Sequence, residues 1–517
     1  LGTALLVFAA VSAQAGAFAV LQAVTRQVDA AAAATTTLPA LGSTRWGWAR
    51  AVALPSLGAV VVGALVAPVG AYLASDLFPI GFAARIEPDP GRRPDVLVHA
   101  GGALLVVLVV GAWALAAGRR WGATGPRRAW TPTLRWAGLT PAAGVRLAFG
   151  RGRHRAAGPM RSAMIGIGIG TAGAIGAAFV LVSLDDLVDT PERWGVTWDG
   201  TGTVIDPATF DDTLQAIADE DGVVAAATLR QGLIQPEGDE VNAYAVVPVE
   251  GDPLPAVRRG RLPEAEDEVA LGELTMDQFG LDLDGRLVVQ GAADGDETTI
   301  EPDVTLRVVG TVVFPPYNDL QPAQGAFFTP EGLSTVNQAR STDALIVEFD
   351  EDVDGGELTE RIADEHAVGL LGPIIPPQLS NLDEASTVIR ALIAFFVALA
   401  VVGLVQALAI SGRRHRPNFA VWRAVGFVPG QVRRAVRWQS AVITAVGVVT
   451  GIPLGLYVGL VAWRLTVQNL GVLDQPTWPI VAVLAALPGA LLAAWVLALV
   501  PAWLAARGRP AADLHAE

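Results

Sequence analysis

Few residues in this chain are spaced for catalysis. The five histidines, His99, His154, His366, His415 and His515, are scattered, with no H-E-x-x-H or similar spacing from which a metal site could be assembled. The acidic runs Glu264–Glu268, Asp294–Glu297 and Glu348–Asp354 lack the alternating ligand-and-glycine order of a calcium loop and read as solvated faces. There is no G-x-S-x-G elbow and no cysteine, and all 36 basic residues are arginine. A phosphate-binding P-loop needs a lysine to reach the nucleotide, so the chain carries no standard ATPase motif and calls for no cofactor. One constellation is of a different kind. Phe419, Val421, Trp422 and Val425 form an apolar stripe inside a loop rich in arginine, with Arg423 within it and Gly426 just after it. Such a stripe suits docking onto another protein, or anchoring on a membrane surface with its anionic headgroups. The arginines lack interleaved stacking aromatics, which argues against nucleic acid.

The elements that hold this stripe follow from composition. Apolar residues make up 52% of the chain, yet the formal charge is -15. The two are segregated. Most of the 51 acidic residues lie between Asp185 and Glu384, and most arginines lie in the flanks with the long apolar runs. The flanks are built for lipid and the middle for water. Seven segments reach the roughly 20 apolar residues that span a bilayer: 2–24, 51–74, 96–118, 161–184, 387–410, 438–463 and 478–504. The expected fold is an α-helical polytopic membrane protein with seven transmembrane helices and one extracytoplasmic mixed α/β domain. Loops 119–160 and 411–437 are rich in arginine and free of acids, which places both in the cytoplasm. Alternation then puts 25–50 and the C-terminus inside, and 75–95, 185–386 and 464–477 outside. Within the exterior domain, strands are expected at Tyr244–Val249, Arg286–Gln290, Thr305–Phe314 and Ala344–Phe349. Helices are expected near 207–219, 272–280 and 355–367. Glycines at Gly166–Gly176 fall inside a membrane helix, where small residues permit close packing.

The chain also repeats itself. Ala40-Leu41-Gly42 and Ala424-Val425-Gly426 are each followed seven residues on by a basic stretch. Gly63 then matches Gly447, and, shifted by one residue, Pro68, Gly70 and Tyr72 match Pro453, Gly455 and Tyr457. The stretch RRHRPNFAVWRAVGFVPGQVRRAVRWQSAVITAVGVVTGIPLG resembles the cytoplasmic coupling segment of FtsX-like, MacB-type ABC transporter permeases. LFPIGFAARIEPDPGRRPD at 77–95 and SLDDLVDTPERWGVTWDG at 183–200 resemble the large actinobacterial form with two such halves.

The resemblance implies that residues 1–118 are the last three helices of a first half. Its opening helix and exterior domain would precede Leu1, where neither an initiating Met nor a signal peptide is seen. It further implies a cytoplasmic linker at 119–160 and a second half made of a helix at 161–184, a MacB-like domain at 185–386 and three helices at 387–517. The coupling segment is 411–437. A separate cytoplasmic ABC ATPase would be the partner, and the chain itself would be no enzyme. Phe419, Val421, Trp422, Arg423 and Gly426 would carry the coupling. Leu38, Leu41 and Gly42 would form a weaker first copy, because Pro39 replaces the family's arginine and the second copy's aromatics have no counterpart. The implied function is export or extraction of a lipoprotein, peptide or antibiotic from a bacterial plasma membrane. The alternative is a signalling or scaffold protein acting on a cell-wall hydrolase or sensor kinase.

The charge bias predicts the topology. In intact cells a cysteine introduced at position 240 should react with an impermeant maleimide, and one at 125 should react only after lysis. The opposite pattern would invert the orientation.

Overall fold

The computed structural model describes residues 44–74, 96–123, 138–149, 158–204, 207–291, 302–314, 322–337, 342–350, 352–373, 377–414, 421–422, 425–499 and 502–503, with scattered helical positions between 13 and 31. After those positions the described residues form four helices: α1 (Arg45–Ala74), α2 (Val96–Ala123), α3 (Leu139–Phe149) and α4 (Gly158–Val188). An α/β stretch follows, with β1 (Gly200–Val204), α5 (Phe210–Ala218), β2 (Val223–Ile234), β3 (Val241–Glu250), β4 (Val257–Gly260), β5 (Glu268–Leu271) and α6 (Glu273–Gln278). It continues through β6 (Arg286–Val289), β7 (Val304–Val312), β8 (Ala326–Phe328), α7 (Pro330–Val336), β9 (Thr342–Phe349), α8 (Gly355–His366) and β10 (Val368–Leu371). Last come α9 (Pro377–Arg414), α10 (Pro429–Leu470) and α11 (Ile480–Leu497). The chain divides into two compact units: Leu1–Leu181 with Glu384–Ala462 and Trp478–Glu517, and Val182–Asp383 with Trp463–Thr477.

Among the described residues six helices are long and apolar enough to cross a membrane: Trp46–Leu73, Leu97–Arg119, Ala163–Val188, Ser386–Val405, Pro429–Val467 and Ile480–Leu497. They coincide with six of the seven expected spans. The seventh, 2–24, lies mostly outside the described residues. A helix closes its backbone hydrogen bonds within itself, which is what hydrocarbon demands. Side chains such as Leu104, Leu105 and Leu108 on α2, and Val481, Leu484 and Leu492 on α11, stand exposed, as a lipid-facing surface requires.

In the first unit α1 packs on α2, with Gly118 against Ala49 and Trp46 flanked by the guanidinium groups of Arg50 and Arg119. Further along, α4 lies between α9 and α10. A Cβ added to Gly447, Gly451, Gly455 or Gly459 of α10 would meet the carbonyl oxygens of Met164, Gly168, Ala172 and Gly176 of α4 at 3.0, 2.6, 2.6 and 3.0 Å, in that order. Four glycines, one per turn, thus face four carbonyls, one per turn. Only glycine lets two helix backbones approach so closely, and the approach gives each carbonyl a Cα–H contact worth about 0.5–1 kcal/mol. On its other side α4 meets Phe396 and Ala400 of α9 through Gly170 and Gly173. The repeat is visible here too. α1 and α10 each begin three residues after their matched glycine, Gly42 or Gly426, but Gly63 and Gly70 on α1 meet nothing within 4 Å among the described residues.

The second unit is a mixed ten-stranded sheet of order β10-β1-β9-β2-β3-β8-β5-β7-β4, with β6 added on β7. β2 and β3 pair antiparallel as a long hairpin, Leu229 opposite Val246. β3–β8 and β5–β7 are parallel. β9 returns from late in the sequence to lie between β1 and β2, and β10 pairs with β1, Val204 opposite Val368. Entry and exit strands are therefore neighbours, the arrangement a domain inserted between two membrane helices needs. Two cores cover the sheet. Leu214, Ile217, Leu345, Val347, Leu358 and Ile362 form one under α5 and α8, and Val269, Leu271, Met276, Leu306, Phe328 and Leu333 the other under α6 and α7.

At the rim of the second core one carboxylate is buried. Glu268 is 4% exposed, accepts hydrogen bonds from Arg261 at 2.6 and 2.7 Å, pairs with Arg307, and accepts from the Glu264 backbone N–H at 3.0 Å. These donors, Arg261 foremost, hold its carboxyl well below the ordinary glutamate value of 4.5. A depressed carboxylate stabilises the fold above the unfolded value and stops doing so as pH falls toward the folded one. Glu268→Gln should therefore lower the domain's melting temperature by several degrees at pH 7, and the gap to wild type should shrink steadily below pH ~4.5. A gap that does not change with pH would rule out the ion pair as the cause.

Candidate coupling turn and exterior clasp

The stripe singled out in the sequence folds into a capped turn. Val421 and Trp422 are helical, the Val425 N–H bonds the Val421 carbonyl at 3.0 Å, and the Phe427 N–H bonds the Trp422 carbonyl at 2.9 Å. Gly426 sits between them at φ 108°, in the left-handed region that a side chain would strain. This is the six-to-one closure of a helix C-terminus, and it comes with the apolar contact that usually accompanies it. Trp422 stacks on Phe427, ring centroids 5.4 Å apart. α10 starts at once. Pro429 takes its first position, and Gln431 Oε1 accepts from the Val428 N–H at 3.1 Å, satisfying a donor the helix start would otherwise leave open.

The turn is seated, not free. Trp422 and Phe427 pack on a cluster of Val432, Ala435 and Val436 of α10, Ala143 and Leu147 of α3, and Ala502. α3 is a helix within the arginine-rich linker that sequence reasoning left as loop. Its Gly144 lies so close to α10 that an added Cβ would meet the Ala435 carbonyl at 2.9 Å, and Gln439 reaches back toward the Leu147 carbonyl at 3.4 Å. The available signal was the apolar spacing Leu139, Ala143, Leu147.

The expected docking residues therefore separate. Trp422 is half-buried and turned onto Phe427, whereas Val421, Val425 and Val428 are 49%, 79% and 55% exposed. Val428 and Phe427 were not singled out in the sequence. Phe419 and Arg423 lie outside the described residues, as do Leu38, Leu41 and Gly42 of the first copy. On α10, Arg433 and Arg434 are exposed, and the Arg437 guanidinium lies over the Trp495 ring, 4.8 Å from its centroid.

A second site, within the second unit, ties distant segments together. Ser183 Oγ donates to the Thr477 carbonyl and accepts from the Thr477 N–H, both at 3.1 Å. Asp186 accepts from the Thr477 hydroxyl and pairs with Arg193 at 2.5 Å. Arg193 in turn donates to the Gln475 carbonyl at 2.9 Å, and its own carbonyl accepts from the Leu473 N–H at 3.0 Å. The end of α4 and the segment after α10 are thereby clasped, in a unit that also buries Trp194 and Trp463 fully. The sequence offered 464–477 only as a short exterior loop.

His366 gains a partner from folding. Its Nε2 lies 3.1 Å from Glu220 Oε1, and Glu365 is near enough for all three groups to offer ligand atoms within 4.8 Å of one another. His366 occupies the last turn of α8, and its contact with Glu220 accounts for the arrangement.

Residues 390–510 match the FtsX-like permease C-terminal domain. This stretch holds most of α9, the capped turn closed by Gly426, α10 and α11. It supports an FtsX-like, MacB-type ABC permease, a multi-pass membrane subunit of a family that works with an ATPase partner. No curated protein matches the chain.

Proposed function

We propose that the chain is the membrane subunit of an ATP-driven machine whose separate cytoplasmic ATPase docks on the turn at 421–428. One observation carries this reading. Val421, Val425 and Val428 project from a turn whose own packing is already satisfied by Trp422 and Phe427, so their exposure serves no internal contact among the described residues. The arginine-rich flanks set this turn in the cytoplasm and the acidic domain 185–386 outside. α10 begins at the turn, and at 1.5 Å per residue its 42 residues run about 63 Å, twice a hydrocarbon core of about 30 Å. Movement imposed on the turn by nucleotide-driven closure of the ATPase reaches the exterior clasp along this helix and its partner α4. The exterior domain then acts on an amphiphilic substrate, a lipoprotein, peptide or antibiotic, for export or extraction from the bacterial plasma membrane. Chemical energy comes from the partner, because this chain has no lysine for a P-loop. The first copy, around Leu38, Leu41 and Gly42, has the lesser part.

The test is retention of the cognate ATPase by purified variants that insert equally. Val425→Glu should weaken retention about ten-fold or more, the worth of one buried valine. Trp422→Ala should do at least as much by loosening the turn, and Leu38→Ala should change little. Full retention by Val425→Glu with loss in Leu38→Ala would overturn the assignment.

A further inference from the structure

Small residues do two different things in this bundle. Along the α4–α10 seam they let backbones touch. On α11 they leave room. Ala482, Ala486, Gly489 and Ala493 face a cavity of about 350 Å³ bounded by α4, α9, α10 and α11, and a Cβ added at Gly489 would meet nothing within 4 Å. The wall is apolar except for the hydroxyls of Thr171 and Thr444. Thr444 is 2% exposed, and its Oγ1 has no hydrogen-bond partner among the described residues, although a helical threonine ordinarily bonds the carbonyl one turn back. The cavity is not sealed. Val397 of α9, half exposed, and Gly489 of α11 both line it and lie on the bundle surface.

We propose that this cavity seats one acyl chain of a bilayer phospholipid, with the Thr444 hydroxyl donating to an ester carbonyl. The inference rests on the membrane reading of these helices, not on the ATPase assignment, so either can fail alone. Size fits: at about 30 Å³ for a group the size of a water molecule, the space takes on the order of ten methylenes. Depth fits as well. A core of about 20 residues centred on the apolar run 438–463 begins near residue 441 and leaves Thr444 about one turn, roughly 5 Å, inside its edge, within reach of an ester carbonyl drawn down from the interface. The occupant follows from mass action, since acyl chains are the solvent at the opening. An empty space would forfeit dispersion contacts along its whole wall and leave the buried hydroxyl unsatisfied. A seated chain would separate α9 from α11 and fill the side of α4 that the glycine seam leaves open.

The full-length chain reconstituted in phosphatidylglycerol vesicles doped with a diazirine-acyl phosphatidylglycerol tests this by mass spectrometry of photo-adducts. Adducts are expected on 482–493 at the cavity-facing positions, in excess over outward Leu484 and Leu492. Gly489→Leu, which fills the space, should abolish them. Thr444→Val, equal in shape but without the hydroxyl, should reduce them about five-fold, and Thr444→Ser should restore them. Adducts spread evenly around α11, or cavity-facing adducts undiminished in both Gly489→Leu and Thr444→Val, would overturn the proposal and leave the coupling assignment standing.

Discussion

The close approach of α4 and α10 is the constraint on which the membrane half depends. Hydrocarbon solvates apolar side chains as well as another helix does, so helices there associate through packing and close polar contact, not through exclusion of water. Gly447, Gly451, Gly455 and Gly459 against four successive carbonyls of α4 supply that contact over about three turns. Because the glycines recur every four residues, a shift of one residue in either direction would set a bulkier side chain against a carbonyl. The seam therefore fixes register as well as proximity, and α9 is ordered against the opposite side of α4 through Gly170 and Gly173.

A fixed register between two helices matters because of what lies at their ends. α10 emerges from a turn closed by Gly426 and braced by Trp422 on Phe427, and that brace rests on α3. At the other end, Ser183, Asp186 and Arg193 hold the segment 473–477 by direct hydrogen bonds and an ion pair. The exterior domain adds its own closure, with β10 paired to β1 so that its entry and exit are adjacent. Each piece is rigid for a local reason: a left-handed cap, a glycine seam, a polar clasp and a sheet edge.

The membrane helices were legible because an apolar run of twenty residues has few other fates, and the exterior domain because its charge is so unlike its flanks. Short β-branched runs, such as the expected strand at Ala344–Phe349 within the observed Thr342–Phe349, were equally plain. β2 was not: VVAAATLRQGLI is rich in alanine, and its strand conformation is imposed by the pairing of β3 and β9 on either side. α3 was hidden by the arginines around it. The clasp joins residues 294 positions apart, and no local pattern announces such a pairing. In the coupling turn, composition identified the apolar residues but not their directions. Trp422 turns inward because a helix closed by Gly426 brings it over Phe427, and the valines are left outside.

The central claim is that the glycine seam carries motion from the coupling turn to the exterior domain. The chain has no native cysteine, so spin labels can be placed uniquely at Arg434 on α10 and Glu240 in the exterior domain. The distance between them is then measured by double electron–electron resonance with and without the ATP-bound partner. The account predicts a shift in the wild-type seam and none in Gly455→Ala, whose added methyl would meet the Ala172 carbonyl at 2.6 Å, with partner binding retained. An undiminished shift in the Gly455→Ala protein would contradict it.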